Sequence, residues 1–136
     1  MSGDERWLVL YDGDCGFCKW LLSGLLRWDR AGLTAPIALQ RPQAAELLAD
    51  LDADQRMASW HLISPDGERC SGGAAVAPLL RLLPGGRAPA ALVARVPRLT
   101  DRGYRWVAEH RTGLSKLVPK RAKRRAAARV SARESP

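Results

Sequence analysis

The chain has 136 residues, the size of one ordinary domain, and 46% of them are hydrophobic, enough to build a core without a metal or disulfide scaffold. No apolar run approaches the ~20 residues of a membrane helix; the richest, Trp20 to Leu26, is broken by Ser23 and Gly24. The net charge of +8 sits at one end: residues 1–110 hold 13 Lys/Arg and 13 Asp/Glu, whereas residues 111–136 hold nine basic and one acidic, so any inference about polyanions concerns the tail alone.

Trp7 to Tyr11 is a short apolar run of strand formers, closed by the turn residues Asp12, Gly13 and Asp14. A helix follows, with Phe17, Trp20, Leu21, Leu25 and Trp28 along one face and Leu22 and Leu26 widening it. Gly24 falls on that face and suits the close approach of a neighbour; Gly32 is the expected stop. Pro36 to Gln40 reads as a second strand, and Pro42 suits the first turn of a helix through Leu51. Ala58 to Ser64 is a third strand. The turn Pro65-Asp66-Gly67 then leads into a return arm, Glu68 to Ser71. Ala74 to Leu83 reads as helix, ended by Pro84, Gly85 and Gly86, and residues 87–99 show no clean period. Thr100 is placed to cap a last helix through His110.

The order strand, helix, strand, helix, strand, strand, helix gives parallel first strands joined by a crossover and a closing hairpin. That is the thioredoxin core: an α/β fold with a central mixed four-stranded sheet flanked by helices and an extra C-terminal helix. The expected division is a thioredoxin-like domain over residues 1–115 and a basic, poorly ordered tail over 116–136 that adds little to the core. The tail lacks interleaved aromatics, so stacking on single-stranded nucleic acid is not indicated; weak contact with nucleic acid or an anionic membrane remains a minor alternative for it.

Chemistry concentrates at Asp12-Gly-Asp-Cys-Gly-Phe-Cys18. Two residues between cysteines on a first helical turn bring both sulfurs within bonding reach, and helix N–H groups favour an anionic sulfur. Cys15 is the expected attacking thiol and Cys18 the resolving one. Asp12 and Asp14 oppose a thiolate nearby and Lys19 favours one. Asp14 is a candidate helix cap. Asp12 either shapes the turn or accepts the Cys18 proton as a general base. Cys70 and His61 make up, in number, a zinc set with Cys15 and Cys18, but their spacing matches no common zinc module. Lys19 stands where c-type haem attachment needs His, so no cofactor or metal is expected. Cys70 reads as a small buried strand residue, His61 as a satisfied histidine, and the tryptophans as mostly core.

The run Leu10 to Cys18 resembles the signature of the DCC family of thiol-disulfide oxidoreductases, named for an Asp and two Cys that fall here on Asp12, Cys15 and Cys18. The similarity continues in Leu39-Gln40, in Gly73 to Val76 with Leu79-Leu80, and in Asp101 to Tyr104 through His110-Arg111. The resemblance implies a thioredoxin-like fold and exchange with a protein or small-molecule thiol or disulfide. Well-known thioredoxins carry a cis-proline before the third strand; here that position falls near Met57, Ala58 and Ser59, without a proline. Two further readings stand beside the oxidoreductase: a non-catalytic protein-binding or redox-sensing module, and a basic-tailed adaptor. The acidic start, Asp4 and Glu5, lacks the basic and apolar segments of a secretory signal, and three cysteines suit a reducing compartment, so the expected location is cytoplasmic.

Overall fold

The computed structural model describes residues 6–133; the acidic start considered above and the last three residues lie outside them. Four strands, β1 (Trp7–Tyr11), β2 (Thr34–Ala38), β3 (His61–Ile63) and β4 (Arg69–Ser71), form one sheet in the order β2-β1-β3-β4. β1 runs parallel to β2 with Val9 opposite Pro36, and antiparallel to β3 with Val9 opposite Leu62. β3 and β4 form the expected hairpin. Pro36 is tolerated because β2 is an edge strand. The fold is thioredoxin-like.

Alternation along β1 divides the core between the two faces of the sheet. Val9 and Tyr11 pack with Leu62, Ala75 and helix α1 (Gly16–Trp28), whereas Leu10 packs with Ile37, Leu39, Ile63 and helix α2 (Pro42–Leu47). Pro42 does open α2, which stops at Leu47 rather than Leu51. A separate short helix, α3 (Ala53–Met57), follows behind an Asp52–Gln55 capping box, which shortens the expected third strand to three residues.

After β4 the chain makes a 3-10 turn (Gly72–Ala75), then α4 (Val76–Arg81), α5 (Arg87–Arg95) and α6 (Pro97–Leu117). The ambiguous stretch 87–99 is thus helical. α6 begins at Pro97, which supplies a pre-set φ for the first turn, so Thr100 is an interior residue and not a cap. Its hydroxyl donates back to the carbonyls of Val93 and Val96 at 3.1 and 3.0 Å. Gly73 lets α6 approach: a Cβ there would lie 2.9 Å from Asp101 Cα.

Of the tryptophans expected in the core, Trp7 and Trp60 pack, half-buried, against the cluster of Val9 and Leu62, but Trp20 and Trp28 are 40% exposed. The inward stripe of α1 is Phe17, Leu22, Ser23 and Leu26, so Trp20 lies to one side, stacked on Phe17, and Trp28 caps an edge by donating to the Pro84 carbonyl at 2.9 Å. The tail, expected to be poorly ordered, contains helix α7 (Lys120–Arg133), which packs along α1. Val130 and Ala126 are buried there, Val130 within the core cluster of Val9 and Leu26. Arg129 donates to Ser23 Oγ at 2.9 Å, and Arg133 reaches the buried Asp29 carboxylate at 3.1 Å. Among the described residues no helix is long and apolar enough to cross a membrane.

Candidate active site

The site forms where β1 ends and α1 begins, a junction enforced by the turn residues between them. Asp12 Oδ1 accepts the Asp14 backbone N–H at 2.9 Å, and the Asp12 carbonyl accepts from Cys15 N–H at 3.2 Å. These bonds turn the chain sharply enough for α1 to start one residue after Cys15. Cys15, not Asp14, is the N-cap, and its Sγ accepts the Cys18 N–H at 3.2 Å. Asp14 is exposed and reaches across to the Gln40 amide at 3.3 Å.

The two sulfurs lie 2.6 Å apart, with the Cys18 thiol donating to Cys15 Sγ. Both cysteines are half-buried and unbridged. Cys18 sits one turn into the helix and lines an apolar cavity of ≈ 750 Å³ between α1, α6 and the approach to β3. Burial pushes its thiol up to about 12, helped by the bond to Cys15 and by negative charge at Cys15 and Asp12; the Arg111 guanidinium opposes the rise. At neutral pH Cys18 is therefore a protonated thiol.

Asp12 is held at both oxygens. Oδ1 accepts from the Gln40 side-chain amide at 2.8 Å, and Oδ2 faces Arg111 Nη1 at 3.8 Å. Gln40 in turn accepts the Gly13 N–H at 2.9 Å, and a Cβ on Gly13 would stand 2.9 Å from that Gln40 oxygen. Glycine is needed there so that the amide can lie against the turn. Tyr104, two turns before Arg111 on α6, lies on the same cavity; its hydroxyl accepts the Trp60 N–H at 3.3 Å. Burial raises its phenol, with the Cys18 charge adding to the rise.

The three residues singled out from sequence, Asp12, Cys15 and Cys18, are brought together. Gln40, Tyr104 and Arg111 were legible only as parts of later motifs, without roles. The available signal was the seven-residue spacing of Tyr104 and Arg111, which puts both on one face of a helix. Met57, Ala58 and Ser59 border the cavity, and no peptide bond among the described residues is cis.

His61 and Cys70 do not join the pair. The register pairs His61 with Ser71 and Leu62 with Cys70, which puts them on opposite faces of the sheet. The His61 ring is buried and bonded at both nitrogens: Nε2 donates to the Arg56 carbonyl at 3.0 Å, so Nδ1 accepts the Ser71 hydroxyl at 2.6 Å. Cys70 packs, half-buried, against the cluster of Val9 and Leu62.

No curated protein and no solved structure matches the chain. A family model does, over residues 9–117, from the middle of β1 to the end of α6, taking in every residue of the site just described. The chain belongs to the DCC1-like thiol-disulfide oxidoreductase family.

Proposed function

We propose that the protein is an enzyme that exchanges electrons with a disulfide through Cys15 and Cys18, and that Asp12 serves as the proton acceptor. The supporting observation is the pairing of a sulfur at the helix N-cap, Cys15, with a second, protonated thiol 2.6 Å away. Cys15, as thiolate, attacks one sulfur of the substrate disulfide; that S–S bond breaks, and the other substrate half leaves as a thiolate that takes a proton from solvent. Cys18 then passes its proton to Asp12 and attacks Cys15 Sγ, which closes the Cys15–Cys18 disulfide and releases the remaining half as a thiolate that takes the proton from Asp12, so the carboxylate is restored. A dithiol reductant in a cytoplasmic, reducing setting returns the pair to its starting state.

Asp12 is needed because a thiol held near 12 supplies almost no thiolate at neutral pH. The experiment is trapping. Cys18→Ser incubated with a protein or small-molecule disulfide should accumulate a mixed disulfide at Cys15, and Cys15→Ser should accumulate little. Asp12→Asn should slow resolution about tenfold or more while leaving the attack step within about twofold. Trapping through Cys18 instead would reverse the roles. No trapping in either variant would favour the alternative of a non-catalytic binding or redox-sensing module.

A further inference from the structure

We propose that Arg111 is a positioning residue for the resolving step: its guanidinium fixes the Asp12 carboxylate and favours the negative charge that Cys18 acquires. This rests on the exchange chemistry proposed above, but its test does not. Three elements converge here. The β1–α1 turn supplies Asp12, the first turn of α1 supplies Cys18 and α6 supplies Arg111, and all three line one cavity. Arg111 Nη1 stands 3.8 Å from Asp12 Oδ2, the oxygen not occupied by Gln40. Gln40 and Arg111 thus hold the carboxylate from two sides, which limits its rotation about the Asp12 side chain.

The position of α6 is set independently of this ion pair. Asp101 packs on Gly73 at the start of the helix, and Tyr104 accepts from the Trp60 N–H. Arg111 lies two turns further along, so the helix delivers a cation to the pair without depending on Asp12 for its own docking. The titratable and charged groups facing Cys18 are Cys15 on α1, Asp12 on the turn, and Tyr104 and Arg111 on α6, with Glu109 further along the cavity wall. The approach to β3, residues 57–60, brings none. Arg111 is the cation that acts on the Cys18 thiol, and Lys123 of α7 lies against Gly16, on the Cys15 side. Asp12 raises the Cys18 thiol and Arg111 lowers it, and only with both present does a base sit beside Cys18 without forbidding the thiolate.

The roles divide cleanly in the reaction. As Cys18 gives its proton to Asp12, the negative charge passes from the carboxylate to the sulfur. Arg111 faces the Asp12 carboxylate and also lowers the Cys18 thiol, so its charge favours the anion at either position as the proton moves.

The test reads Cys18 directly. In a Cys15→Ser, Cys70→Ser background, the rate of Cys18 alkylation by iodoacetamide is followed from about pH 7 to about pH 10, where it tracks the thiolate fraction. Arg111→Gln should lower that rate about tenfold at every pH, a displacement of about one pH unit for the loss of one neighbouring cation. Arg111→Lys should restore most of it, and Asp12→Asn should move it the opposite way. Equal rates in Arg111→Gln and its parent overturn the proposal. So does an Arg111→Lys profile that coincides with Arg111→Gln, which would make the role one of shape. Should Arg111→Gln fail to fold, the Arg111→Lys and Asp12→Asn profiles still decide, because the proposal requires the first to stay near the parent and the second to rise. None of these readings needs a substrate disulfide, so a protein that exchanges with nothing refutes the proposed function and leaves this result standing.

Discussion

Cys18 and His61 are both titratable groups taken out of water, and their partners decide what burial does. At Cys18 burial favours the neutral thiol, and the neighbours are charged, so the group can be switched by moving a proton or a cation. At His61 burial likewise favours the neutral ring, but the partners are the Ser71 hydroxyl and a carbonyl, which fix one neutral tautomer. Burial outweighs the carbonyl bond, which supports a charged ring, and the Arg69 and Asp50 charges oppose one another, so the folded-state value lies below the ordinary one. A group depressed in this way contributes stability above its unfolded value, about 6.5, and loses it as pH falls, because the unfolded chain binds the proton first. Urea unfolding should therefore show a midpoint that declines from about pH 7.5 to about pH 5.5, and His61→Gln should decline less over that interval. Parallel declines would mean the acid sensitivity originates elsewhere.

At the scale of elements, what could be read in the sequence was local. β1, the β3–β4 hairpin and the start of α1 each carry their own signal within a few residues: a strand-forming run, a Pro-Asp-Gly turn, a cysteine pair after a turn. So the grouping of Asp12, Cys15 and Cys18 is legible in the sequence and that of Gln40 and Arg111 with them is not, because β2 and α6 return to the same point from far along the chain. α1 shows the limit within one element. Its apolar residues cover most of the surface, and period alone does not say which third faces the sheet; the structure turns Leu22 and Leu26 inward and leaves Trp20 and Trp28 exposed. Gly24 follows from that rotation. It was read as a place of close approach, but a Cβ there meets nothing within 4 Å, because the residue borders an open groove of ≈ 490 Å³ between α1 and α7. Gly24→Ala should then stabilise the protein by about 0.5–1 kcal/mol through helix propensity alone, read as a rise in thermal midpoint of a few degrees. A fall would show that α7 closes on α1 more tightly than the groove indicates.

For the whole molecule the decisive element is the one whose sequence looked least like structure. Seven of the fourteen residues of α7 are Lys or Arg and none is acidic, a pattern that reads as a solvated tail. Its alanines and arginines are nevertheless strong helix formers, and Ala126 and Val130, four residues apart, need only a narrow stripe to reach α1. The small apolar content of that stripe is why periodicity missed it. Docking also gives the basic residues partners: Arg133 bonds the Asp29 carboxylate and the Thr34 carbonyl, where the chain passes from α1 to β2. Burial alone would raise the Asp29 carboxyl, but hydrogen bonds from Thr34, Leu33 and Arg133 hold it below its ordinary value. Deleting residues 118–136 would open the cluster that Val130 shares with Val9, Leu22 and Leu26 and remove one of the bonds on Asp29. Losing a buried valine and alanine and a charged hydrogen bond should cost about 3 kcal/mol or more, a fall of about 10 °C in thermal midpoint for a domain of this size. The thiol pair lies at the other end of α1 from Asp29, so the truncated protein should keep its Cys15 trapping below that midpoint. A midpoint within about 3 °C of the full chain would mean that α7 contributes little and that the folded unit ends with α6.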